Sequence, residues 1–245
     1  MSSDAKKVAL VTGGAKRVGR AIVERLVKAG FDIAFTYYSS ADEADALQER
    51  YHATPVRIVG ILADYTEPTT FVAPTFETVN RHFGRLDVLV NNASVYEPSS
   101  LSETNLDQMR RLMAIHFESP LLLAQAFSAT LRASRGHVIN MVDLLAERPW
   151  PQYLAYSASK AALANLTLGL ARELAPDVTV NGIAPGVVAW PEDYPDVEKE
   201  RYLKRVPLQR PGTPQDVAEL VYFLVTSGCY LTGQILRLDG GRSIT

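Results

Sequence analysis

Cysteine is nearly missing from this chain, with one residue, Cys229, in 245. A single thiol builds no intrachain disulfide framework. Histidine is sparse as well, and His52, His82, His116 and His137 lack the spacing of a metal-ligand set. No apolar run approaches the length of a membrane span. The apolar stretch in MSSDAKKVALVTGG is too short for a secretory signal. Neither sign of charge dominates. The 25 Lys and Arg against 27 Asp and Glu leave a net −2, so there is no basic surface for nucleic acid or an anionic membrane. The expectation is a cytoplasmic protein of a reducing compartment.

What is present is core material, 47% hydrophobic residues over a length that suits one large α/β domain, 1–245. Short β-rich apolar runs alternate with helical patterns. Strands are expected at 7–12, 31–38, 56–64, 86–93, 136–143, 178–186 and 234–241. Helices are expected at 17–30, closed by Gly30; at 40–52 with Ser40 as cap; and at 68–84 despite Pro74. A long helical region over 103–132 follows, then helices at 153–175, 196–205 and 213–227, the last with a Thr cap and a Pro at its first position. This alternation argues for a parallel sheet covered on both faces. No repeat or interdomain linker interrupts it.

The turn VTGGAKRVGRAI joins the first strand to the first helix, where a doubly wound sheet holds a dinucleotide pyrophosphate. Gly13, Gly14 and Gly19 suit close backbone approach. Lys16 and Arg17 add positive charge, with an ordinary surface role as the other reading. The second strand ends in Tyr37, Tyr38, Ser39 and Ser40, where readers of NAD usually carry an acid for the ribose 2′-OH. No carboxylate stands there to repel a 2′-phosphate, which favours NADP(H). Asp64 after the third strand is either an acceptor for the adenine amine or a loop cap.

Tyr156 and Lys160 are four apart and share a helix face. A lysine beside a phenol lowers the phenol's pKa and makes it a usable proton donor for carbonyl or imine reduction. In a chain with 11 tyrosines such a pair also arises by chance. It gains weight from its place after the fifth strand, at the same sheet edge as NNAS, 91–94.

TGGAKRVG, NNAS, YSASK, NGIAPG and LTGQILRLDGG, in this order and over the full chain, resemble the short-chain dehydrogenase/reductase family. The resemblance implies a three-layer Rossmann fold, a doubly wound parallel sheet of seven strands with helices on both faces, assembled as a homotetramer or a dimer. It implies Tyr156 as the catalytic acid and Lys160 as holder of the nicotinamide ribose. Asn92 would line the cofactor cleft, with Val18, Ala93, Ser94, Pro185, Gly186 and Val188 as further cofactor contacts.

Two departures from the family pattern stand out. Arg17 occupies a usual glycine position, and Asp143, thirteen residues before Tyr156, occupies the usual place of a catalytic serine. Together they resemble the pteridine reductases, as do INMVD and the aromatic Tyr96 just after NNAS. That resemblance implies that Arg17 reaches cofactor phosphate and substrate, and that Tyr96 stacks a flat pterin or folate ring. It implies that Ser94 and Trp190 line the substrate pocket and that Asp143 supports proton delivery through Tyr156. An ionised Asp can only accept hydrogen bonds, which suits a substrate rich in N–H donors. The plain alternative for Asp143 is a strand-end cap.

Two residues depart from the pteridine reductase pattern. His116 aligns with a family Asn credited with ordering the relay water, so either His116 takes that place or the relay differs. Ser39 replaces a basic residue, which weakens the NADP inference slightly. The other readings are a reductase of a ketone, such as a 3-oxoacyl thioester, and a regulator that binds NADP without catalysis.

Overall fold

The computed structural model describes residues 6–190 and 194–245. Residues 191–193, which follow Trp190, lie outside the described residues. Seven strands form one all-parallel sheet: β1 Val8–Val11, β2 Asp32–Tyr37, β3 Ile58–Leu62, β4 Val88–Asn91, β5 His137–Met141, β6 Thr179–Pro185 and β7 Ile235–Leu238. Their order is β3-β2-β1-β4-β5-β6-β7. The winding reverses between β1 and β4, which opens a crevice above the carboxyl ends of these two strands.

The eight helices of the described chain are α1 Arg17–Lys28, α2 Ala41–Tyr51, α3 Pro68–Phe83, α4 Leu106–Met113, α5 Ser119–Ser134, α6 Leu154–Glu173, α7 Asp196–Leu203 and α8 Pro214–Thr226. Alternate residues of each strand serve opposite faces of the sheet. Ala9 and Val11 pack with α1, α2 and α8 through Ile22, Leu26, Leu47 and Leu224. Val8 and Leu10 pack with α3, α5 and α6 through Phe71, Phe127 and Leu170. The result is the three-layer arrangement expected from the sequence.

Some element ends follow local signals. Gly84 closes α3 in the left-handed region at φ +67, its N–H bonded to the Asn80 carbonyl. Thr213 and Asp216 form a capping box on α8. Helix α3 runs through Pro74, as expected, at the loss of one backbone bond. Ser40 does stand at the head of α2, but its hydroxyl makes no capping bond.

The expected long helix over 103–132 is divided. Between α4 and α5 lies a π turn, Ala114–Glu118. Pro120 has no N–H to give the carbonyl four residues back, and its ring crowds that carbonyl, so the helix widens there. The carbonyl belongs to His116, and the widened turn carries the His116 side chain into the interior, 1% exposed. No helix among the described residues is long and apolar enough to cross a membrane.

Candidate active site

The turn after β1 is held from three sides. Gly13 has φ +62, a conformation that glycine adopts freely. Its N–H donates to Thr36 Oγ1 (3.0 Å). Asn92 Nδ2 donates to the Thr12 carbonyl (2.8 Å), and Thr12 Oγ1 accepts from the N–H groups of Asn92 and Ala93. A Cβ on Gly19 would sit 2.0 Å from the Gly13 carbonyl oxygen, so only glycine lets α1 approach so closely. The α1 N-terminus has neither a side-chain cap nor an acid in its first turn. Its free N–H groups and dipole therefore remain available to an anion.

Beside this turn runs a groove of about 370 Å³, lined by Gly13, Lys16, Tyr38, Ser39, Ser40, Asp64, Ala93 and Ser94 among others. Lys16 is not a free cation there, since its Nζ pairs with Glu43 at 2.7 Å. The pair is half exposed, so a stronger anion could compete for Lys16. Asp64 Oδ1 accepts from the N–H and hydroxyl of Thr66, which is the loop-cap reading. Thr66, and then the Tyr38 hydroxyl, hold the Asp64 carboxyl below its usual pKa.

At the end of β5 the second departure takes shape. Tyr156 Oη donates to Asp143 Oδ2 at 2.8 Å. The other oxygen, Oδ1, accepts from the Leu145 N–H at 2.8 Å. Asp143 is therefore at once a cap and the partner of the phenol. Lys160 Nζ donates to the Met141 carbonyl (2.8 Å) and lies 5.8 Å from the centre of the Tyr156 ring.

The expectation that Lys160 lowers the Tyr156 pKa is corrected. Burial, then Asp143, holds the phenol well above its ordinary value. Burial also raises Asp143, which sits deep yet opens on a cavity, and lowers Lys160 from 10.5 to about 8. In the free protein the phenol therefore keeps its proton.

That cavity is larger, about 810 Å³, with Arg17, Tyr96, Asp143, Trp150, Trp190, Tyr194, Tyr202 and Arg242 in its wall. Arg17 is held at φ +50, in the left-handed region. A glycine would sit there unstrained, whereas an arginine costs about 1 kcal/mol. One face of Tyr96 is already stacked on Tyr153, centroids 4.6 Å apart, and its edge contact with Tyr156 is 5.0 Å. The Ser99 N–H donates to the Gln152 carbonyl (2.7 Å) and ties the Tyr96 segment to the start of α6. Only the remaining face of Tyr96 is open to a flat ligand. Trp190 stacks on Tyr194 at 4.9 Å.

A family model described as enoyl-(acyl carrier protein) reductase matches residues 13–243. The chain belongs to the short-chain dehydrogenase/reductase family. It is 32% identical to pteridine reductase 1 of Leishmania tarentolae, over 100% of this chain and 99% of that protein. It is also 32% identical to a 3-oxoacyl-(acyl-carrier-protein) reductase of Staphylococcus aureus, over 96% of this chain and 97% of that one. Among solved structures, a blue fluorescent protein from a metagenomic library in complex with NADPH superimposes with a TM-score of 0.91. It has 38% identity over 96% of this chain and 97% of that one.

In this short-chain dehydrogenase/reductase the expected site residues fall into three groups. Lys16, Tyr38, Ser39, Ser40, Asp64, Ala93 and Ser94 line the groove with Gly13. Arg17, Tyr96, Asp143 and Trp190 line the larger cavity, and so do Pro185, Gly186 and Val188, which were expected on the cofactor side. Val18, Gly19, Asn92, Tyr156 and Lys160 line neither. Gly19 and Asn92 brace the turn, Val18 packs on the core, and Tyr156 and Lys160 are buried, 4% and 2% exposed.

Tyr202, Tyr153, Trp150 and Arg242 were missed. Tyr202 is the hub of the larger cavity. Its hydroxyl accepts from the Val187 N–H, and the Trp150 and Trp190 rings meet it edge-on. Only Tyr153, at the head of α6 and three residues before Tyr156, carried a local signal.

Proposed function

We propose that this oxidoreductase uses NADP(H) to reduce a C=N bond of a pterin, a dihydropterin or a folate. The open α1 N-terminus, the glycine turn and the acid-free end of β2 fit a dinucleotide bearing a 2′-phosphate. The NADPH bound to the metagenomic relative supports the same reading. When bound, the reduced nicotinamide supplies the hydride.

The observation that carries the substrate reading is the 2.8 Å bond from Tyr156 to Asp143. A serine at that place would donate to a carbonyl oxygen, whereas a carboxylate accepts. Tyr156, kept protonated by burial and Asp143, gives its proton to the substrate nitrogen as the adjacent carbon takes hydride. Lys160 then stabilises the phenolate. Asp143 takes up a proton from solvent in the cavity it lines and passes it to the phenolate. The open face of Tyr96 stacks the ring, Arg17 contacts ring and phosphate, and Trp190 closes the far wall. Assembly as a homotetramer, with a dimer as the lesser form, belongs to the same reading and is checked by sedimentation.

A ketone reductase acting on a 3-oxoacyl thioester is the second reading, favoured by the equal identity to the S. aureus enzyme. Turnover with NADPH of a dihydropterin, dihydrofolate, a quinone and an acetoacetyl thioester separates the two. Reduction of the thioester alone, or of nothing, rejects the pterin reading.

A further inference from the structure

The proposed chemistry leaves His116 unused. Its ring nitrogens each meet one serine: Nδ1 lies 2.8 Å from Ser159 Oγ, and Nε2 lies 2.8 Å from Ser94 Oγ. The protons on this chain follow by elimination. Ser159 Oγ lies 2.7 Å from the Tyr156 carbonyl oxygen, which only accepts, so the Ser159 proton is committed there. Ser159 must then accept from the Nδ1–H of His116. Burial, and then the charge of Lys160, hold the imidazole neutral, so a ring protonated at Nδ1 is bare at Nε2. The Ser94 hydroxyl proton points to Nε2. The Val95 carbonyl, 3.4 Å from Ser94, and the Tyr156 hydroxyl oxygen are poorer acceptors for it than a bare imidazole nitrogen at 2.8 Å.

Ser94 neighbours the Tyr156 hydroxyl and lines the groove. With its proton turned away toward His116, it offers this space only lone pairs. We propose that His116 is a positioning residue that fixes Ser94 as a hydrogen-bond acceptor, so that the site selects a substrate bearing N–H or amine donors. Asp143 is an acceptor as well, and Tyr156 is the lone donor among the three. An amino-substituted C=N heterocycle matches that pattern, while a plain ketone brings acceptors to acceptors. The selectivity rests on the proposed function, whereas the tautomer of His116 does not.

Two measurements test this. In the full chain labelled with 15N-histidine, two-bond 15N–1H correlation reads the His116 tautomer, assigned by the signal lost in His116→Asn. The expected form is Nδ1–H with a bare Nε2. An Nε2–H tautomer, or an imidazolium, overturns the proposal whatever the substrate.

Ser159→Ala removes the acceptor of Nδ1–H. It is expected to flip the ring to Nε2–H, free the Ser94 proton and raise kcat/KM for an activated ketone relative to a dihydropterin by about five- to tenfold. Ser159→Thr, which keeps a hydroxyl, is expected to restore both tautomer and ratio. A flipped ring with an unchanged ratio overturns the selection. If no pterin is reduced at all, the proposed function falls while the wild-type spectrum still decides the His116 assignment.

Discussion

At the amino edge of the sheet two buried acids each meet an arginine. Asp32 accepts from the N–H and Nε of Arg57, at 2.9 and 2.7 Å. Asp87 accepts from the Val8 N–H and, through both oxygens, from Arg85. At the carboxyl edge Asp143 meets no arginine, only a phenol and one backbone N–H, with a buried lysine near by. The residue type is the same and the edges are ends of the same strands. A carboxylate paired with an arginine and a backbone N–H holds strands together. One given neutral donors and an opening to a cavity keeps the capacity to take a proton.

The sharpest break in this contrast is expected at Tyr156. Tyr156→Phe removes the proposed proton donor and leaves the ring, so kcat should fall by roughly 10²–10⁴ while the NADPH dissociation constant stays near that of the parent. Stopped-flow reduction and cofactor fluorescence measure the two. Near-normal turnover would assign proton delivery elsewhere, with Asp143 as the first suspect.

Lys160 sharpens the same edge through its pH dependence. Its folded pKa, about 8, lies below the unfolded value of 10.5. Below about 8 the lysine is charged in both states, and the burial cost is present in full. As pH rises from about 8 toward 10.5, the folded state sheds the proton first and the cost disappears. The stability of Lys160→Met relative to the parent should therefore fall by on the order of 3 kcal/mol between pH 7 and pH 10.5, on top of a pH-independent cost for the hydrogen bond the Met141 carbonyl loses. Denaturant titration of both proteins reads the difference. A difference independent of pH would contradict the shift.

Exchanging the acids tests the comparison directly. Asp143→Ser should cut dihydropterin kcat/KM by about 10² and spare, or even raise, reduction of an activated ketone. Loss by one common factor would make Asp143 a structural cap. Asp87→Ala strands the buried Val8 N–H and should cost about 2 kcal/mol of stability, with turnover per folded molecule almost unchanged. If the two variants failed in the same way, the distinction between the edges would be lost.

The smallest effect is expected in the groove. Ser40→Asp places a carboxylate where a 2′-phosphate would lie, and should shift the ratio of NADPH to NADH dissociation constants toward NADH by about tenfold. Equal affinity for both cofactors in the parent protein would sink the NADP reading outright.

The strands, the glycine turn, the Thr213 cap and the Tyr156–Lys160 spacing were legible in the chain because each depends on neighbours within a few residues. Periodicity, caps and turns are local physics, and the order in which they occur is enough to call for a doubly wound sheet. The departures Arg17 and Asp143 could be read as residue types. What they touch could not. The Asp143–Tyr156 bond, the stack of Tyr96 on Tyr153, the Lys16–Glu43 pair and the Ser94–His116–Ser159 chain join residues 13 to 57 positions apart. They exist because the paired strands β1 and β2, and β4 and β5, deliver their following loops side by side, and because the π turn carries His116 inward. The direction of the Tyr156 shift was misjudged from the chain for the same reason. Spacing puts a lysine near a phenol, but only the packed interior decides how much water each loses, and burial there outweighs the lysine's charge.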